Sequence, residues 1–499
     1  MSKIIAETPI GSSVAPTMSQ SATVEGRLSG QLGTTSLVLS VMAFSAPIVT
    51  VAGYIAFAIG FVGEAAPIAW IIATVALLIF SVGYTAMTRH IPRPGAFYAY
   101  ISLGLGKVLG VGGAYLATVS YMVITVGIYA FAGTTVSSFL ADFSGLGVPW
   151  WFSTTLVWVI VTVLAHFHIE LSAKILGVVM VLEVLIVAVF NVVTLARGGA
   201  EGLSAAPFNP AAFINGGTGL ALLFAFSNFI GFEATALYRD EVMNPNRTVP
   251  RATYISVALI GGFYALSAYT LIIAFGPSAV AKATSAPGTM FTEALTRYVG
   301  ATVAQATLLL VMTSALASVL SVHNVTARYL HNLSADHALP GWLSAVHPKH
   351  RSPYRASLIA ALAVAAMLLP FVVGGADPSF IMGAGSGIGT AGVLILMALV
   401  SLAIPVWFKR RGLPAGERRW RVYAAPIVAF VLISAVVVFA IVRFDLLVGG
   451  APGQNLWMLL VLLAVLVAGC CVALHFRRNR PDWYARLGRA VDEEHHSVS

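Results

Sequence analysis

Charged side chains are scarce in this chain: Asp, Glu, Lys and Arg make up 9% of its 499 residues, against 58% hydrophobic ones. Soluble domains carry about 25% charged residues, so a water-soluble globule is excluded and a polytopic membrane protein remains. Cysteine is nearly missing too. Cys470 and Cys471 are neighbours inside an apolar run, where a bond between them would be strained, and they read as small packing residues. Extended polar sequence is equally rare. The first 34 residues are rich in Ser and Thr and lack both the basic start and the apolar stretch of a signal peptide, so they read as a cytoplasmic tail. Residues 334–355 and 476–499 are the other long polar stretches, each too short for an independent catalytic domain.

What the chain has in abundance is apolar runs long enough to cross a bilayer core about 30 Å thick. Twelve are found, at 36–60, 65–87, 109–140, 150–165, 173–195, 216–238, 252–275, 303–330, 356–373, 381–407, 424–442 and 456–474. Their orientation follows from the basic residues, which concentrate in cytoplasmic loops. With the N-terminus inside, only Arg197, Lys282, Arg297 and Arg443 of the 28 Lys and Arg face outward. Both termini are therefore expected in the cytoplasm of a cell that carries the chain in its plasma membrane. The net charge of +9 reflects this topology, and no nucleic-acid partner is expected.

Two of the segments are interrupted. Segment 1 contains Ala46-Pro47-Ile48-Val49-Thr50-Val51-Ala52-Gly53, and segment 6 contains Phe226-Ser227-Asn228-Phe229-Ile230-Gly231-Phe232-Glu233. Backbone that leaves helical pairing in hydrocarbon survives only where it lines a cavity or is buried in protein. Paired breaks in corresponding segments point to a transporter's binding site. Pro47 has no N–H and cannot continue the helical ladder, while Gly231 tolerates backbone angles closed to other residues. Glu233 would begin the second half-helix, where a carboxylate suits the positive end of the dipole. Phe226 and Phe229 are candidate gates or faces for a cationic ligand, with ordinary helix packing as the competing reading.

Several motifs carry a family resemblance. After Phe229-Ile230-Gly231-Phe232-Glu233 come Glu241, Asn244-Pro245-Asn246-Arg247 and Pro250-Arg251-Ala252. The loop after segment 2 reads Pro94-Gly95-Ala96-Phe97-Tyr98-Ala99-Tyr100. The end of segment 8 reads Ala327-Arg328-Tyr329-Leu330, followed by Asp336, Leu339-Pro340, His347-Pro348 and Ser352-Pro353. In this order, across ten segments, the pattern resembles the amino acid–polyamine–organocation permeases. The resemblance implies a leucine-transporter-like fold: segments 1–5 and 6–10 as inverted repeats, with segments 1 and 6 discontinuous and segments 11 and 12 appended. The corresponding division is 1–34 tail, 35–200 first repeat, 201–408 second repeat, 409–477 last two helices and 478–499 cytoplasmic tail.

The resemblance places substrate against the two breaks, at Ala46, Pro47, Ile48, Val49, Thr50 and Gly53, and at Phe226, Ser227, Asn228, Phe229, Ile230 and Gly231. Many relatives carry a Gly-Ser-Gly type of run at the first break, whose amides hold an amino acid's carboxylate. Here Ala46-Pro47-Ile48-Val49 stands instead, one donor short, which weakens the case for a carboxylate-bearing substrate.

Glu183 lies deep in segment 5, and an ionisable group at bilayer depth is a functional candidate by default. In several proton-coupled relatives a lysine stands near this position, close to the first break, in place of a sodium ion. Here the charge is inverted. A carboxylate could carry the coupling proton or face an amine substrate or a cation; a hydrogen-bonded structural glutamate is the bland alternative. Family members that use sodium place hydroxyls of segment 8 against the first break, which brings Thr313, Ser314 and Ser318 into view, as does helix packing. Glu233 joins Glu183 as a coupling candidate.

Two other patterns are set aside. Gly387-Ile388-Gly389-Thr390-Ala391-Gly392 matches a dinucleotide fingerprint in letters only, since that motif needs a strand–turn–helix context and this run lies inside a membrane segment. His323, His331, His337, His347 and His350 have no metal-ligand spacing and no carboxylate or Cys partners. They read as mostly solvated loop residues, so neither metal nor cofactor is expected.

The sequence thus predicts an all-α membrane protein that is not an enzyme. It is expected to move a small amino acid or organic amine by alternating access, with a cationic amine favoured. Proton-coupled symport or exchange is expected, with sodium possible, and oligomeric state is open. The alternatives are a transporter-like nutrient sensor and a carrier of zwitterionic amino acids.

Overall fold

In the computed structural model, the described residues are 33–91, 97–167, 173–233, 235, 242, 244–347, 352–449, 451 and 453–487. The N-terminal tail up to residue 32, Pro94 to Ala96 of the loop motif, Glu241, Pro348 and His350 lie outside them, as does the C-terminal tail from residue 488.

The chain is built from helices. Segment 1 divides into α1 (Thr34–Phe44) and α2 (Pro47–Ala65). Then come α3 (Pro67–Thr88), the short α4 (Phe97–Leu105), α5 (Lys107–Ser144), α6 (Trp150–His166) and α7 (Ala173–Arg197). Segment 6 begins with α8 (Thr218–Ser227), and α9 (Pro245–Phe275), α10 (Ala301–Ala335), α11 (Tyr354–Val373) and α12 (Pro378–Arg411) follow. The last two segments are α13 (Ala425–Val442) and α14 (Leu456–Asn479). Ten helices among the described residues are long and apolar enough to cross a membrane, and α6 and α8 are shorter apolar ones. The twelve segments of the sequence reading each have a counterpart, with α8 as half of an interrupted one. Several run longer than their apolar cores, because helix continues into the polar margins.

Local chemistry sets the ends. The Asp377 carboxylate caps α12 by accepting from the amides of Ser379 (2.8 Å) and Phe380 (3.3 Å), with Pro378 in the first turn, where no N–H is needed. Lys409, Arg410 and Arg411 close the same helix, where cations suit the dipole.

The core lies between helices, and the lipid-facing sides are apolar as well. Val192 and Leu460 are 65% and 62% exposed, as expected where hydrocarbon rather than water is the solvent. α5 runs through the centre against α12. Their backbones come very close: a Cβ added at Gly385 would sit 2.8 Å from the Gly127 amide nitrogen, and one at Gly389 would sit 2.6 Å from the Ser120 carbonyl. The glycine run at 387–392 therefore serves helix approach, and nucleotide chemistry has no place there. Across the second pair, α2 lies beside α8, with Phe224 stacked on Phe57 at 5.4 Å and on Phe61 at 5.7 Å. That contact brings the two interrupted segments together.

Candidate substrate and coupling site

At the first break the helix is lost over fewer residues than the sequence reading assigned. Ala46 alone adopts the left-handed region, at φ 43° and ψ 74°. Pro47 to Val49 are already helical, and Thr50 to Tyr54 form a wide π-helical stretch that joins the rest of α2. Gly53 lies inside that stretch, where an added Cβ would meet the Met382 side chain at 2.7 Å. Its role there is helix packing. Proline explains the position of the interruption: with no N–H at 47, the preceding turn lacks a donor and the chain swings out one residue earlier.

The backbone groups freed by this break are satisfied by distant helices. The Ser45 carbonyl accepts from the Tyr264 hydroxyl of α9 at 3.1 Å and from the Thr50 hydroxyl at 2.9 Å, and Tyr264 also pairs with the Ser45 hydroxyl at 2.8 Å. The Ile48 amide donates to the Glu183 carboxylate of α7 at 3.5 Å. Glu183 is 3% exposed, and the Ser314 hydroxyl of α10 lies beside it. One carboxylate thus touches the first break, α7 and α10. Ser314 lies on the side of α10 that faces Glu183. Thr313 does not: its hydroxyl donates to the carbonyls of Leu309 and Leu310 in its own helix, both at 3.1 Å. Ser318 lies a turn beyond Ser314 and is part-buried.

The sixth break centres on Gly231, at φ 108°, a conformation that strains any residue with a Cβ. Asn228, Phe229, Ile230 and Phe232 keep short-range turn bonds, their amides donating to carbonyls three residues back. The Gly231 amide donates to Glu233 Oε2 at 2.8 Å, while the Tyr121 hydroxyl of α5 donates to Glu233 Oε1 at 2.9 Å. The Glu233 carboxylate folds back onto the break and holds the Gly231 amide, a partner the sequence reading did not name. α3 contributes the rest, with the Tyr84 hydroxyl on the Glu233 carbonyl (3.2 Å) and the Trp70 indole on Asn228 Oδ1 (3.0 Å). Phe226 and Phe229 are buried to 2% and 1% exposure, while Ser227 and Ile230 stay part-buried, the Ser227 hydroxyl turned back to the Phe224 carbonyl at 2.7 Å.

Tyr264, Tyr121, Tyr84 and Trp70 were missed from sequence. A signal existed, because a phenol or indole inside an apolar helix must find a polar partner, but it does not say which. The histidines also divide differently. His323 is buried in α10, its Nε2 at 2.9 Å from the Ser357 hydroxyl, whereas His337 and His347 do lie in the loop that follows. No cluster of three metal-ligating side chains occurs among the described residues.

A helical membrane protein with interrupted first and sixth segments packed against each other has the architecture of leucine-transporter-like permeases. The solved structure of MhsT in complex with L-phenylalanine superposes with a TM-score of 0.58 at 16% identity, covering 83% of this chain and all of that one. The chain belongs to the amino acid permease family, which it matches over residues 30–467. Among curated relatives, an uncharacterized transporter of Mycobacterium tuberculosis H37Rv is 30% identical over 180 residues, spanning 36% of this chain and 37% of that protein. The branched-chain amino acid permease BcaP of Bacillus subtilis is 24% identical, over 59% of this chain and 65% of its own. The low-affinity putrescine importer PlaP of Escherichia coli is also 24% identical, over 68% and 72%. The family and the fold are those of permeases, and not of enzymes.

Proposed function

We propose that this chain transports a small organic amine or amino acid across the plasma membrane by alternating access, with a proton carried on Glu183 as the coupling ion. The observation that carries the reading is the position of that carboxylate, which accepts from the freed Ile48 amide and lies beside Ser314 of α10. An ionised Glu183 holds the Ile48 amide strongly, and a protonated one holds it weakly. Proton occupancy is thereby tied to how firmly the first break is docked on α7. Movement of the broken segment against α10 is what would open and close the substrate path, bounded by segments 1, 3, 6 and 8.

A cationic amine is the favoured cargo. The Pro47 position offers no N–H, the Ile48 amide is taken by Glu183, and every amide from Asn228 to Phe232 has an acceptor within the protein. A substrate carboxylate would have to displace one of these bonds. A buried acidic group and the Phe226 and Phe229 rings suit a cation better. A zwitterionic amino acid is the second reading, favoured by the family's name and by the relative BcaP.

Uptake into proteoliposomes tests both levels. With external pH below internal pH, accumulation of a labelled substrate is expected to rise, and Glu183→Gln is expected to remove the pH dependence while leaving exchange. A variant that keeps full proton-driven accumulation would sink the role of Glu183, and a sodium gradient that drives uptake at uniform pH would replace it. Equal competition by an amino acid and its decarboxylated amine would remove the preference for an amine. A chain that binds substrate but shows neither flux nor exchange would be a sensor.

A further inference from the structure

A cavity of about 580 Å³ lies away from both breaks, between the loop after α10 and the end of α14, with His337, Leu339, Cys471, Val472, His475 and Trp483 among its lining. Its depth in the bilayer can be fixed from the sequence. The apolar run from Leu456 to Leu474 is about 28 Å long at 1.5 Å per residue, close to the hydrocarbon thickness. Cys471 and Val472 therefore sit at the inner edge of the hydrocarbon, and His475 and Trp483 at the level of the lipid headgroups. The charge distribution assigns this end to the cytoplasmic leaflet.

The walls change character across that boundary. Leu339, Cys471 and Val472 are apolar, whereas the headgroup end is formed by His337, His475, Phe476 and Trp483, with Arg480 outside the lining against the far side of Trp483. The Arg480 guanidinium stands 4.7 Å from the centre of the Trp483 ring, and the His337 ring stacks on the same indole at 4.8 Å. His337 turns the chain at φ 61°, a left-handed conformation that histidine adopts more readily than most residues, and its ring lies on Trp483. Among the described residues, Arg477, Arg478 and Arg480 are all exposed here, and the carboxylates nearby are the exposed Asp482 and the part-buried Asp336. The C-terminal helix Pro481–Arg486 brings Trp483 back over the end of α14, its ring 5.5 Å from Phe476.

From this we infer that the cavity is a binding site for an anionic phospholipid of the inner leaflet. The acyl chains would lie along Val472 and Leu339, and the phosphate would face Arg480 and the neighbouring arginines. Arginines at the cytoplasmic margin of a groove between membrane helices suit such headgroups, and an open groove leaves the headgroup in contact with water. An occupant would join the loop after α10 to the end of α14.

The test uses the full chain purified in detergent, with its melting temperature followed during titration by phosphatidylglycerol, phosphatidylcholine or inorganic phosphate. A saturable rise is expected with phosphatidylglycerol alone. Val472→Trp, or Leu339→Trp from the opposite wall should Val472→Trp not fold, fills the cavity with the charges intact and is expected to abolish the rise. Arg477→Gln, Arg478→Gln and Arg480→Gln are each expected to weaken apparent binding about fivefold. A rise of equal size with phosphatidylcholine, one reproduced by inorganic phosphate, or one that survives either cavity filling or loss of all three arginines overturns the assignment.

Discussion

At the first break the freed backbone groups are held by side chains from two other helices, Tyr264 and Glu183, whereas at the sixth break the amides pair within the segment, four with carbonyls three residues back and Gly231 with the segment's own Glu233 carboxylate. The strain is distributed just as unequally. Gly231 takes its positive φ without penalty, while Ala46 takes one that costs about 1–2 kcal/mol in a residue with a Cβ. The sixth break is thus built as a stable turn clamped by α3 and α5. The first is a strained joint whose geometry depends on what α7, α9 and α10 are doing. The proposed coupling role rests on the strained joint held by Glu183, and the proposed substrate position on the turn at Gly231.

The sharpest way to break this contrast is Glu183→Gln, expected to lower proton-driven accumulation more than about tenfold while the melting temperature in detergent changes little, since an amide oxygen can still accept from Ile48. Next in size is Glu233→Ala. It strands the Gly231 amide and the Tyr121 hydroxyl in a buried site, and a loss of about 2–4 kcal/mol in unfolding free energy is expected. If Glu233→Ala were instead stable but uncoupled from protons, the two breaks would have exchanged roles. Gly231→Ala should cost about 1–2 kcal/mol, because alanine resists φ 108°. The smallest effect carries the opposite sign: Ala46→Gly relieves a left-handed residue and should raise stability by up to about 1 kcal/mol. Thermal unfolding of the matched pair Gly231→Ala and Ala46→Gly would show it, and two shifts of the same sign would remove the distinction between joint and turn.

Much of this was legible in the linear chain. The helices were, because hydrocarbon leaves a backbone few other ways to pair its polar groups, and so were the two places where Pro47 and Gly231 make a helix fail. Glu183 stood out as a lone carboxyl at membrane depth. Its partners did not. The sequence reading also extended the first break to Gly53, because nothing local distinguishes an unwound stretch from a π-helical one: both follow a proline, and only packing against Met382 and Phe131 shows that Gly53 is inside a helix. Glu233 was read as an ordinary helix-start carboxylate, since its fold-back onto Gly231 depends on Tyr121 arriving from a helix 112 residues away.

The sequence by itself determined the membrane class, the number and placement of the apolar segments, the family resemblance and the two weak points in segments 1 and 6. These follow from local properties: hydropathy, the missing N–H of proline and the missing Cβ of glycine. Only the tertiary structure decided which groups satisfy the broken backbone, because the donors and acceptors come from positions as far apart as Ser45 and Tyr264, separated by 219 residues. Buried polar groups must be paired wherever the partner lies in sequence, and it is the packing of α7, α9 and α10 around the first break that chose Glu183 and Tyr264 for the task.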